Sequence, residues 1–199
     1  MKSSQEFDKY GALHVKDAMG KELLHFLTHV LLREAAKNPK SDEQVPDCMT
    51  VMDHEVLFDS VLEKMWPAIE VVTGMDLIPT YSYARLYKNG NKLEKHKDRE
   101  ECEISVTIQL GRSHHYAWPI HMDGKRYDLA EGDAIIYKGC ELTHWRDECN
   151  GPDGYYSGQV FLHFVDANGP YRDKAYDSVN RESYDGMFIK NRTKFMEEK

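Results

Sequence analysis

Among the ten histidines of this chain, the useful question is which are spaced to hold a metal ion. Two stretches set a histidine and an aspartate two residues apart, His96-Lys97-Asp98 and His121-Met122-Asp123. In extended backbone such a pair shares one face, so either stretch offers two ligands of a two-histidine, one-carboxylate site. The second has a competing explanation, because Asp123-Gly124 is a favoured tight-turn dipeptide and assigns Asp123 to a hairpin. The first opens a strand-rich region just after a turn. A third ligand must then come from a later strand end, and His144 follows Gly132-Asp133-Ala134-Ile135-Ile136-Tyr137 and a short glycine-containing turn. His96, Asp98 and His144 together would cover one face of an octahedral ion and leave three positions for a bidentate organic acid and dioxygen. His25 and His29, four apart on a helical stretch, have no third ligand in view and read as ordinary residues.

Positioning such a triad is the work of the elements around it. From Asp17 to about Lys37, Leu23, Leu24, Leu27, Val30 and Leu31 recur with helical spacing, Asp17 is the expected N-cap, and Asn38-Pro39 ends the segment. A second helix is expected from near Asp53, with Val56, Leu57, Val61, Leu62, Met65 and Trp66 on one side and Pro67 as a kink before Gly74. Beyond Gly74 the period falls to two. Tyr81, Tyr83, Arg85 and Tyr87 alternate with Ser82, Ala84 and Leu86, and further strands are expected at Ile104 to Leu110, Tyr116 to His121, Arg126 to Leu129, Ala134 to Tyr137 and Tyr155 to Val165. Helices followed by many short strands, with no helix between strands, argue for a mostly β fold, an antiparallel jelly roll backed by N-terminal helices.

The stretch Tyr87-Lys88-Asn89-Gly90-Asn91-Lys92-Leu93-Glu94-Lys95-His96-Lys97-Asp98 resembles the Y-x-x-G-x-x-L-x-x-H-x-D signature of the Fe(II)/2-oxoglutarate dioxygenases, in particular their prolyl-hydroxylase-like branch. The likeness continues through Ile104 to Leu110 and the G-D-A-x-x-Y ahead of His144, covering roughly Tyr81 to Asp166. It implies a double-stranded β-helix, cupin-like in outline, with His96, Asp98 and His144 as ligands of Fe(II). Cofactors implied are Fe(II), 2-oxoglutarate as cosubstrate and O2, with ascorbate as an optional reductant. The implied reaction is hydroxylation of a peptidyl side chain, often proline in that branch, or of a small molecule, releasing succinate and CO2.

The resemblance also implies a cation for the far carboxylate of 2-oxoglutarate, since burying that group unpaired is costly. Here the chain departs from the family. Where a Gly-x-Arg or Gly-x-Lys is usual on the last core strand, this sequence reads Gly158-Gln159-Val160, with Val160 at the expected basic position. Arg85, on the same alternation as Tyr87, whose family counterpart contacts 2-oxoglutarate, is with Tyr87 the first substitute, and Arg146, two residues past His144, the second. Gln109 matches a strand position that hydrogen-bonds the same carboxylate in some prolyl hydroxylases, and His163 faces inward if Gln159 does. Trp118, Trp145, Tyr81 and Tyr83 either line a substrate mouth or belong to the core.

Composition narrows the alternatives. With 26 Lys plus Arg against 34 Asp plus Glu, the formal charge is −8, which disfavours a nucleic-acid partner. No apolar run approaches about 18 residues and the start, MKSSQEFDKY, has no apolar core, so a soluble cytoplasmic protein without membrane contact is expected. Cys48, Cys102, Cys140 and Cys149 form no C-x-x-C pair and are expected as free thiols. One domain spanning 1–199 is expected, with helical support over about 1–75, a β-barrel core over about 77–166 and a charged tail over about 180–199. Oligomeric state is not legible. Two rival readings stay open: a barrel that binds metal or ligand without turnover, and a cupin-like metalloenzyme that does not use 2-oxoglutarate. Succinate formation separates both from the oxygenase.

Overall fold

The computed structural model describes residues 2–176; the expected tail at 180–199 lies outside the described residues. Its elements run α1 (Lys2–Tyr10), β1 (Ala12–Val15), α2 (Lys21–Lys37), β2 (Thr50–Asp53), α3 (Val56–Thr73), β3 (Leu77–Lys88), β4 (Leu93–His96), β5 (Ile104–Arg112), β6 (Ile120–Met122), β7 (Lys125–Tyr127), β8 (Ala134–Lys138), β9 (His144–Arg146) and β10 (Tyr156–Asp166), with short 3-10 turns at Glu100–Cys102 and Arg172–Lys174. Two antiparallel sheets result. One has the order β1-β8-β5-β10-β3-β2, the other β4-β9-β6-β7. The protein is thus mainly antiparallel β with a few helices.

The larger sheet is two-sided, and its period-two sequence says which residue goes where. Ala84 and Leu86 of β3, Val106 and Ile108 of β5, Ala134 and Ile136 of β8, and Val160 and Leu162 of β10 share a core cluster with Leu27 and Leu31 of α2 and Phe58, Leu62 and Trp66 of α3. The residues between them turn toward the smaller sheet. There Tyr87 clusters with Leu93 and Trp118, and Ile135 and Tyr137 with Ile120 and Met122. The central strand β10 pairs along nearly its whole length with β3 on one side and β5 on the other, so Gln159 lies opposite both Arg85 and Gln109.

Several sequence expectations are corrected. The N-terminal third holds three helices and two strands instead of two helices: β1 and β2 are four-residue edge strands, too short to leave a periodic signal. Asp17 does not cap α2. It adopts positive φ (49°) in a turn before Gly20, the residue at the N-cap, and its backbone N–H donates to Asp133. Helix α3 continues through Pro67 and ends at Gly74, whose left-handed φ of 74° suits a glycine C-cap. The strand expected from Tyr116 is only Ile120–Met122, and its partner Lys125–Tyr127. Asp123 and Gly124 between them both have positive φ (44° and 81°), as a tight hairpin requires.

Candidate metal centre

His96 ends β4, Asp98 follows two residues later, and His144 opens β9, the strand that pairs antiparallel with β4. The pairing sets His96 opposite His144, with ring centroids 4.2 Å apart. Asp98 Oδ1 lies 3.4 Å from His96 Nε2 and 3.3 Å from His144 Nε2. One ligand atom from each of the three lies within 4.8 Å of the others. Each ring is oriented from behind: His96 Nδ1 donates to the Glu94 carbonyl at 2.8 Å and His144 Nδ1 to the Leu142 carbonyl at 3.0 Å. With Nδ1 carrying the proton, each Nε2 keeps its lone pair for a metal. Two imidazole nitrogens and one carboxylate oxygen converging in this way fit an octahedral divalent ion with a vacant opposite face.

Electrostatics follow the same geometry. Burial alone would raise the Asp98 carboxyl, but the imidazoles set against it, His144 first and then His96, hold it far below the usual carboxylate range. Burial opposes the charged form of His96, yet its contacts with Asp98 and the Glu94 carbonyl leave it above the ordinary histidine value. His163 is pushed down to about 4, chiefly by burial, and is neutral near pH 7.

The triad opens into a cavity of about 680 Å³ whose walls include Tyr81, Tyr83, Arg85, Phe161 and His163. Arg85 is buried, and every nitrogen of its guanidinium is engaged. Nη1 donates to the Tyr87 hydroxyl at 2.8 Å, Nε and Nη2 to Asp42 Oδ2 at 2.9 and 2.5 Å, and Nη2 also to Gln44 Oε1 at 2.9 Å. The Tyr83 hydroxyl donates to the same Asp42 oxygen. Gln44 turns its amide nitrogen to His96 Nε2 at 3.0 Å. One side-chain amide therefore bridges the cavity's arginine and a candidate ligand nitrogen. Asp42 and Gln44 belong to the loop between α2 and β2, over forty residues from their partners, and no local motif announces them.

Arg146 and Gln109 are placed differently. Neither borders the cavity, because both belong to a buried network deeper between the sheets. Arg146 donates to the Trp118 carbonyl at 2.6 Å and to Gln159 Oε1 at 3.0 Å, lies over the Trp118 ring, and leaves its Nε without a hydrogen-bond partner among the described residues. Burial lowers its affinity for a proton. Gln109 donates to Ser157 Oγ at 2.9 Å and to the Gly158 carbonyl at 3.1 Å. Val160 sits on the helix-facing side of β10, in the main core, so no side chain at that position can reach the cavity. Gln159 takes the inward place, and His163 faces inward with it.

The other histidine-aspartate pair is elsewhere. His121 stacks on Trp145 and lies 3.3 Å from Asp147, while Asp123, in the hairpin turn, accepts from the backbone N–H of Thr143, just ahead of β9. Trp118 is core, whereas Tyr81 and Tyr83 reach the cavity. Asp133 of the Gly-Asp-Ala stretch is structural, accepting from His14 and from the backbone of Asp17 and Ala130. The four cysteines are free thiols.

No family model matches the sequence, and no curated protein does either. Solved structures do match in fold. A Pseudomonas putida prolyl-4-hydroxylase superposes with a TM-score of 0.62 at 16% identity, covering 81% of this chain and 97% of that one. The α-ketoglutarate-dependent epimerase SnoN from nogalamycin biosynthesis gives 0.66 at 12% identity, over 83% and 82%. HygX from Streptomyces hygroscopicus, with nickel, 2-oxoglutarate and hygromycin B bound, gives 0.59 at 10%, over 81% and 86%. With two antiparallel sheets enclosing two histidines and an aspartate, the chain has the fold of the Fe(II)/2-oxoglutarate oxygenases.

Proposed function

We propose that this protein is an Fe(II)/2-oxoglutarate-dependent oxygenase in which residues 1–199 form one domain, the two sheets being the faces of a double-stranded β-helix. The observation that carries the reading is Asp98 Oδ1 lying between His96 Nε2 and His144 Nε2 at the wall of a large cavity. His96, Asp98 and His144 are its metal ligands. Bound there, Fe(II) with 2-oxoglutarate and O2 supplies the oxidising chemistry, in which loss of CO2 and formation of succinate accompany hydroxylation of a peptidyl side chain or a small molecule.

The chain's own residues do the rest. Glu94 and Leu142 carbonyls hold the two imidazoles in the tautomer that presents Nε2. Arg85 receives the far carboxylate of 2-oxoglutarate, with the Tyr87 hydroxyl beside it, and the bridging Gln44 supports this role: the span from guanidinium to metal-binding nitrogen is that of one small molecule. For the cosubstrate to enter, the carboxylate of Asp42 and the amide of Gln44 must withdraw. Arg146 is the reserve candidate, a buried cation held by neutral oxygens. The prolyl hydroxylase and the epimerase among the similar folds carry different chemistries, and the wide cavity, walled by charged groups and by Tyr81, Tyr83 and Phe161 alike, suits either a peptide side chain or a compact metabolite.

A second reading is favoured by one observation. Arg85 already has a carboxylate, so a metal-binding barrel without turnover would look the same. Anaerobic metal loading followed by O2 and 2-oxoglutarate separates the two: the oxygenase releases succinate above the protein-free rate, even without a second substrate, whereas the binding module takes up metal and releases none.

A further inference from the structure

Asp98 offers two oxygens, and only Oδ1 points between the histidines. Its other oxygen is occupied. Ser105 Oγ lies 2.8 Å from Asp98 Oδ2, 3.1 Å from the Cys102 carbonyl and 3.1 Å from His163 Nδ1. A serine hydroxyl has one proton, and the nearer, anionic acceptor takes it. Ser105 Oγ is then the acceptor for His163 Nδ1–H. Behind this pair the backbone leaves no room. A Cβ on Gly139 would stand 2.5 Å from Asp98 Oδ2 and 2.8 Å from Ser105 Oγ, and the Asp98 N–H donates to the Gly139 carbonyl at 2.9 Å. His163 in turn is held against the Tyr81 ring, with centroids 4.6 Å apart.

We propose that Ser105 and His163 are positioning residues which, through the chain His163 Nδ1–H to Ser105 Oγ–H to Asp98 Oδ2, restrict Asp98 to binding the metal through Oδ1 alone. The inference rests on the oxygenase reading of the triad. Its consequence is a count of coordination positions. An aspartate bound through both oxygens would take a fourth place on an octahedral ion and leave two, too few for a chelating organic acid and dioxygen together. Bound through one, it leaves three. Both residues come from the large sheet, Ser105 from β5 and His163 from β10, directly opposite each other in register, so the ladder that builds the sheet also sets the ligand.

The test is anaerobic titration of the metal-free protein with Co(II), read by its visible absorption, for wild type, Ser105→Ala, His163→Phe and the double variant, with circular dichroism checking the fold. Wild type binds one Co(II). Ser105→Ala, freeing Oδ2, should weaken binding about 10- to 100-fold, the range for loss of a partner that orients a metal ligand, and change the absorption band as the carboxylate swings. His163→Phe, which keeps the packing against Tyr81, should give the same spectral change with a smaller loss. The double variant should be no worse than Ser105→Ala, since the histidine acts only through the serine. If wild type binds Co(II) and His163→Phe and Ser105→Ala match it in affinity and spectrum, the relay is overturned while the metal site stands. Where Ser105→Ala does not fold, an unchanged His163→Phe spectrum is enough to overturn it. If wild type binds no Co(II), the oxygenase reading falls, and the relay with it.

Discussion

Asp42 occupies Arg85, the cation proposed for the far carboxylate of 2-oxoglutarate, and this makes Asp42→Asn informative. In the ligand-free protein the change removes the anionic partner of a buried arginine. Breaking such a pair costs about 3 kcal/mol, the lower end for buried charges, because the Asp42 side chain is itself 21% exposed and Gln44 and Tyr87 still bond the guanidinium. The variant should therefore melt below wild type. For the cosubstrate the sign reverses. Its carboxylate no longer displaces another one, and if even about 1.5 kcal/mol of charge-assisted bonding is released, affinity rises roughly tenfold. Arg85→Gln should do the opposite, weakening 2-oxoglutarate about 10- to 100-fold by the same arithmetic. The assay is anaerobic titration of 2-oxoglutarate into Mn(II)-loaded protein, with melting curves alongside, since a ligand bound only by the folded state raises its stability. Tightening in Asp42→Asn together with loss in Arg85→Gln supports the clamp. An unchanged affinity in Arg85→Gln refutes it and moves the role to Arg146; unchanged affinity in Asp42→Asn alone shows that the loop does not compete.

Replacing His96 or His144 with alanine should abolish the thermal shift caused by Mn(II), while His121→Ala should keep it; the reverse pattern would assign the site to the other histidine-aspartate pair. Metal affinity should fall as pH drops, beginning closer to neutrality than for an ordinary histidine, because His96 is raised in the metal-free protein and its proton competes with the ion. The metal-free fold behaves oppositely through the same group: a raised His96 stabilises fully below its unfolded value and the contribution is lost as pH rises through the folded one. Mn(II) titrations and melting curves between about pH 5.5 and 8 check both signs, and a flat affinity profile would show that His96 is not a ligand. Gly139→Ala should destabilise the fold and weaken metal binding together, since its Cβ would lie 2.3 Å from the Cys102 carbonyl and 2.5 Å from Asp98; thermal melting and Co(II) titration read the two effects.

The triad was legible because its chemistry is local. His96 and Asp98 are two residues apart on extended chain, and His144 follows a recognisable strand and turn. The strands β3, β5 and β10 were equally plain, each being long and alternating. What stayed hidden depends on contacts distant in sequence. Asp42 and Gln44 sit in a loop with no period, and only the folded chain brings them to Arg85 and His96. The edge strands β1 and β2 are too short for alternation to show. Val160 illustrates a subtler failure: the motif placed it at a basic position, but the pleat turns Gln159 inward and Val160 toward the helices. Ser105 could have been found, since it lies four residues before Gln109 on the same strand and so shares its face.

Over residues 84–87, 104–109 and 159–164 the large sheet alternates residues of the site or its buried polar network with residues of the main core, and this ties chemistry to packing. A slip of one residue in the pairing of β3 or β10 would exchange Arg85 for Leu86 and His163 for Phe164. It would also turn arginine, histidine and glutamine toward the leucines of α2 and the aromatic rings of α3. Such a chain has no route to being folded yet chemically blank. Register errors are removed by the core before they can reach the site, so the helices that never touch a ligand act as proofreaders of the residues that do.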